Sequence, residues 1–196
     1  MLSIGTARES VNFRWGMVTE RGKVVHPFAP LSPLLYSMYR RSVIIRPEQE
    51  TMGDRVTIAG GPGKIVIEVF AYERRAAKNE DDANWLVTRV TVAVPPFSGS
   101  WDAAITTHEL AIFQGELKIA LASLSGTAKF RGMEGDLSLI IEFNKRGGAE
   151  VTGVSKPNGF LGTELHFDFE TDQTFLKKTL QELEKVLQQF PVKKMT

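Results

Sequence analysis

The feature that most constrains the fold is a junction near the end of the chain, where the residue period switches from 2 to 3.6 within a few positions. LHFDFE, Leu165 to Glu170, alternates apolar and polar residues. In a strand this puts Leu165, Phe167 and Phe169 on one buried face and turns His166, Asp168 and Glu170 to water or to a partner. Asp172 stands where a helix N-cap is wanted, because its carboxylate can accept from the unpaired N–H groups of a first turn. Leu176, Leu180, Leu183, Leu187 and Phe190 then share one helical face, and Pro191 stops the run. A chain with this corner closes an antiparallel sheet with a terminal helix.

Upstream the punctuation is regular from Arg55 onward. RVTIA is a short strand, and GGPG at residues 60–63 is a turn. KIVIEVFAY, Lys64 to Tyr72, is apolar on both faces and so belongs inside a sheet. WLVTRVTVAV, Trp85 to Val94, sets Leu86, Val90, Val92 and Val94 against Arg89 and Thr91, and Pro95-Pro96 ends it. SGSWDAAIT is the return strand. A helix follows: Thr106 and Glu109 have capping-box spacing, Leu110, Phe113, Leu117, Leu121 and Leu124 form a stripe, and Gly126 offers a permissive C-terminal residue. TAKF, DLSLIIEF and AEVTGV supply three more strands, with a hairpin turn at NKRGG. The order is four strands, a helix, four strands and a helix, with connections too short for parallel crossovers. The expected fold is α+β, a curved antiparallel β-meander of about eight strands with two helices packed on it.

With 196 residues the chain can bury one sizeable core. Two parts are expected: an irregular, Pro-containing extension over residues 1–51 and a single α+β domain over residues 52–196. Pro27, Pro30, Pro33 and Pro47 cut the first part into short pieces, leaving Leu34–Ile45 as its only candidate helix or strand. It reads as a loosely packed arm, as a docking arm using Arg40-Arg41 beside Tyr36 and Tyr39, or as sequence upstream of a start at Met52. Seven Lys/Arg against four Glu give residues 1–51 a net +3, which leaves −2 for the rest of a chain of overall +1. That body has no clustered basic face for nucleic acid. No apolar run approaches the roughly 20 residues that span a bilayer, and no secretory pattern opens the chain, so a cytoplasmic protein is expected.

Catalysis has little support. With no cysteine, disulfides, thiolate nucleophiles and cysteine-held zinc are excluded. His166, Asp168 and Glu170 share a strand face at about 6.6 Å intervals, given a rise near 3.3 Å. An exposed polar strand yields such a triplet without any metal. GGPGK, residues 60–64, lacks the phosphate-loop spacing and precedes a strand, and no GxSxG occurs. No enzyme, metal or cofactor is expected. The polar loop Glu73–Asn84 is the best candidate for recognition, because Glu80, Asp81 and Asp82 form the densest acidic patch. It reads either as a solvated hairpin loop in which Asp82 and Asn84 cap local N–H groups, or as a partner-facing acidic tip.

At DANWL, Asp82 to Leu86, the chain begins to resemble the WapI-type immunity protein family, small bacterial antitoxins associated with toxins delivered at cell contact. The matching pieces are YERRAAKNEDDANWLVTRVTV, FSGSW, THELAIFQGEL, GTAKFRGMEGDLSL and LHFDFETDQTFL, across about residues 64–190. The resemblance implies a protein that binds a toxin domain, commonly a nuclease, one to one. Acidic surfaces of such proteins mimic phosphate and steer association with a basic site, which suits Glu80, Asp81 and Asp82. Trp85, Phe97 and Asp172 fall on motif positions and read as structural: the first two as core or strand-end anchors, the third as a helix cap. The competing expectations are a small-ligand carrier or sensor using the concave sheet face and, behind it, an enzyme built on His166.

Overall fold

The computed structural model describes residues 54–74, 77, 79–144, 146–157 and 163–194, with the backbone of residues 19–20 and 23–24. The chain divides into two units, Met1–Arg41 and Ser42–Thr196. In the first, β1 (Thr19–Glu20) pairs antiparallel with β2 (Lys23–Val24). The expectations for Leu34–Ile45 and for Arg40-Arg41 lie outside the described residues.

The second unit holds two four-stranded antiparallel meanders, each followed by a helix. The first sheet runs β3 (Asp54–Gly60), β4 (Gly63–Tyr72), β5 (Trp85–Val94) and β6 (Phe97–Thr106), with a short helix α1 (Glu80–Ala83) between β4 and β5. Helix α2 (Thr107–Ser123) leads to the second sheet, β7 (Gly126–Arg131), β8 (Leu137–Phe143), β9 (Gly148–Ser155) and β10 (Leu165–Asp172), and α3 (Gln173–Gln189) follows. The eight expected strands and both expected helices are present. The meander is parted into two sheets at α2, and β4 lies inside its sheet as its two apolar faces require.

Alternation decides which side of each strand is buried. Val56 and Ile58, Ile65 and Ile67, Val90 and Val92, Leu139 and Ile141, and Phe167 and Phe169 all face the core. Burial of each such side chain stabilises the fold by about 1.5–3 kcal/mol. In α2, Thr106 and Glu109 form the capping box, and Leu110, Phe113 and Leu117 are fully buried, Phe113 meeting Phe130 edge to face at 5.8 Å. The left-handed residue that ends α2 is Leu124, with φ 48°, and Gly126 opens β7 instead.

The helices tie the sheets together. Helix α2 lies along β7, α3 lies along β3, and the two helices touch. Thr57 N donates to Glu182 Oε2 at 2.6 Å, Thr179 Oγ1 donates to Thr57 O at 2.6 Å, and Lys185 Nζ meets Asp54 Oδ1 at 2.7 Å. The Asp172 carboxylate accepts from Thr174 N at 2.6 Å and Phe175 N at 3.3 Å, and these bonds hold its pKa below the ordinary aspartate value. Strand β10 crosses so close to the β3–β4 hairpin that a Cβ on Gly60 would stand 2.3 Å from the Glu170 carbonyl oxygen, and one on Gly63 would stand 2.2 Å from the Phe169 ring. Glycine is the residue that permits this contact.

Candidate partner-binding surfaces

The loop between β4 and β5 is a helical turn with a buried support. Asn79 caps α1 by accepting from Asp82 N at 2.7 Å, so the capping residue is Asn79 and not Asp82. Asp82 is drawn back onto the scaffold by Arg74, 2.5 Å away, and by Asn79 Nδ2 at 3.2 Å. Glu80 Oε1 lies 3.8 Å from His108 Nε2. Asp81 is exposed and has no ion pair among the described residues. Of the three carboxylates expected at a partner-facing tip, Asp82 is thus paired with a cation, Glu80 lies beside a histidine, and Asp81 is open.

Asn84 is fully buried, and its amide is the hub that holds this turn in place. Its Nδ2 donates to Glu80 O at 2.8 Å and to Lys193 O at 2.9 Å; its Oδ1 accepts from Thr107 Oγ1 at 2.6 Å and from Lys193 N at 2.8 Å. One side chain therefore joins α1, the start of α2 and the segment after α3. The same segment is held by Tyr72, whose hydroxyl donates to Pro191 O and whose ring carries Lys193 Nζ 3.3 Å from its centre. Burial pushes the Tyr72 phenol above its ordinary pKa. The expectation that Asn84 caps a local N–H is corrected: it serves two carbonyls and two donors, three of the four from distant elements.

The outer faces of the two sheets differ in kind. Across the first sheet, register aligns Arg55, Glu68, Arg89 and Asp102 in one row of alternating sign. Its last pair closes with Arg89 Nε 3.0 Å from Asp102 Oδ1. Across the second sheet, register aligns Glu142, Glu150 and Glu170 on three adjacent strands. Side chains directly opposite across strands have Cβ atoms about 4.5–5.5 Å apart, and like charges so placed destabilise a sheet. All three are exposed and none forms an ion pair among the described residues. The next row is Lys129, Ile140, Thr152 and Asp168, and the one after it Arg131, Ser138, Val154 and His166, so the two cations of this face stand on its edge strand β7. An open groove of about 370 Å³ runs over these two rows, with Ile140 38% exposed.

His166 pairs sideways with neither Asp168 nor Glu170. Its Nε2 lies 2.7 Å from Glu164 Oε1, while Lys156 Nζ holds the other oxygen at 3.0 Å. The Lys156 contact, aided by His166, keeps the Glu164 carboxyl below the ordinary range. Among the described residues no group of three potential ligands is placed to hold a metal, and no helix is long and apolar enough to cross a membrane. The inward faces of both sheets are filled by core side chains.

Trp85 and Phe97 each stand at the start of a strand, and for both the core alternative is corrected. Trp85 is half-buried on the outer face of β5, because Leu86 takes the buried parity; Phe97 is 63% exposed at the start of β6, where the hairpin outruns the core. Asp172 caps α3 as expected.

Among solved structures, the fold is similar to the plant transcriptional regulator PBF-2, at 10% identity and a TM-score of 0.42, covering 69% of this chain and 81% of that one. It is also similar to a chain of the CdiA-CT/CdiI toxin and immunity complex from Enterobacter cloacae, at 9% identity and a TM-score of 0.37, covering 61% of this chain and 97% of that one. No curated protein sequence matches. Residues 57–191, from β3 through the end of α3, match the immunity protein WapI-like family, and the chain belongs to that family.

Proposed function

We propose that this chain is an immunity protein that neutralises a cognate toxin domain by one-to-one binding in the cytoplasm, and that it works by occlusion and not by catalysis. Family membership over residues 57–191 is the observation that carries this reading. Its surface chemistry agrees. Carboxylates stand on α1 and in a row on the outer face of the second sheet, and either would attract a basic nuclease domain and repel nucleic acid. At α1 the contact falls to Asp81, with Glu80 and Asp82 shaping the turn around it. Co-expression of the full chain with the toxin domain encoded beside it tests the reading directly. Cell survival that depends on this chain, and a 1:1 complex on gel filtration, are expected; death at equal expression would end the immunity assignment.

A further inference from the structure

We infer that the exposed face of the second sheet is the principal docking surface, and that its occupant is a basic protein face whose Lys or Arg heads meet the Glu142–Glu150–Glu170 row. The inference rests on the immunity reading for the identity of the partner, though the surface itself is argued from the sheet.

The two outer faces make the case by contrast. In the first sheet, each charge in the row Arg55, Glu68, Arg89, Asp102 sits opposite its complement, and Arg89 and Asp102 close as an ion pair. In the second, Glu150 on the middle strand is flanked by Glu142 on one side and Glu170 on the other, with no cation paired to any of them among the described residues. That row costs stability in the free chain and gains most from a cationic partner. Beside it lies the apolar part of the face, Ile140 at 38% exposure with Val154, over an open groove of about 370 Å³. Lys and Arg carry long aliphatic stems that cover apolar surface while the charged head reaches beyond it. The face thus offers both halves of what such a side chain needs. The two cations of the face, Lys129 and Arg131, stand on the edge strand β7 in the neighbouring rows, and an RNA would set phosphates against the glutamates.

Glu150→Lys separates this role from a structural one, because it moves stability and binding in opposite directions. Replacing the middle glutamate with lysine creates an alternating row, so the melting temperature should hold or rise. Binding should fall. Using the full chain, the association rate with the adjacent toxin domain is expected to drop about tenfold at low ionic strength and to lose much of its salt dependence. Glu142→Gln/Glu150→Gln/Glu170→Gln should do the same without reversing charge. An oligoarginine peptide, titrated into the isotope-labelled chain, provides a probe that needs no toxin. Its amide shifts should centre on Glu142, Glu150, Thr152 and Glu170 and vanish in Glu150→Lys. Shifts centred elsewhere, shifts unchanged in Glu150→Lys, or an RNA oligonucleotide bound to the same face would overturn the inference. Protection and association rates equal to wild type in both variants would also overturn it. Failure of the wild-type chain to protect cells would sink the immunity reading instead, and the peptide map would still decide the surface.

Discussion

Asn84→Ala probes the hub on which the α1 turn depends. The substitution removes four hydrogen bonds, to Glu80 O, Lys193 O, Thr107 Oγ1 and Lys193 N, all between 2.6 and 2.9 Å. At about 1 kcal/mol net each, their loss costs about 4 kcal/mol. Thr107 is fully buried, so its hydroxyl is left without this acceptor and without water. The expected destabilisation is about 3–5 kcal/mol, read from urea unfolding followed by circular dichroism. With a slope of roughly 2 kcal/mol per molar for a domain this size, the midpoint falls by about 2 M. Two of the four bonds belong to the Lys193 backbone, so truncation after Phe190 and Asn84→Ala should be strongly non-additive in a double-mutant cycle. A loss below about 1 kcal/mol, or simple additivity, would show that the segment 191–194 is not docked on Asn84 and would refute the account of the hub.

The other predictions are simpler. Gly60→Ala should destabilise by about 3 kcal/mol, since the new Cβ meets the Glu170 carbonyl at 2.3 Å, and a neutral result in thermal melts would mean that the two sheets do not meet there. Trp85→Ala should cost about 2 kcal/mol, less than a core tryptophan, because the ring is half-buried on the outer face; a loss above 4 in urea unfolding would return it to the core. Asp172→Ala should be less stable than wild type at neutral pH, with the gap closing as pH falls below 3.8: the folded-state pKa is depressed, so the stabilisation is present above the unfolded value and disappears on protonation of the folded state. Asp81→Lys should slow association with the toxin domain without shifting the melting temperature, whereas reversing Asp82 as well would break its pair with Arg74 and confound the measurement. A chain beginning at Met52 is expected to fold alone, and circular dichroism showing an unfolded product would assign residues 1–51 to the core.

What could be read from the residues alone follows from the range of the interactions involved. Strand faces and the capping box depend on neighbours two or three positions away, so DLSLIIEF and Thr106–Glu109 were legible. The core alternative for Trp85 could have been set aside from the pattern alone, since a strand that buries Leu86, Val90 and Val92 must turn Trp85 the other way. Helix α1 was hidden because four residues have too little local stability to make a helix; the Asn79 cap and the Asn84 hub hold it, and three of the hub's four bonds reach 23 or 109 positions away. The glutamate row was hidden for the same reason. Glu142, Glu150 and Glu170 become neighbours only once both strand registers are set, and composition gives no sign of that.

The pairing of α3 with β3 gives the chain an order of assembly. Thr57 finds its side-chain partners at Thr179 and Glu182, more than 120 positions later, so an edge of the first sheet made early in synthesis stays bare until the last helix leaves the ribosome. Closing so long a loop costs entropy before any contact rewards it, which makes the joining of the halves the slow event in folding. The delay before the finished fold is reached is thus set by helix α3. Circular permutants that join α3 to β3 and open the chain at the α2–β7 junction should shorten that delay while leaving the finished molecule unchanged.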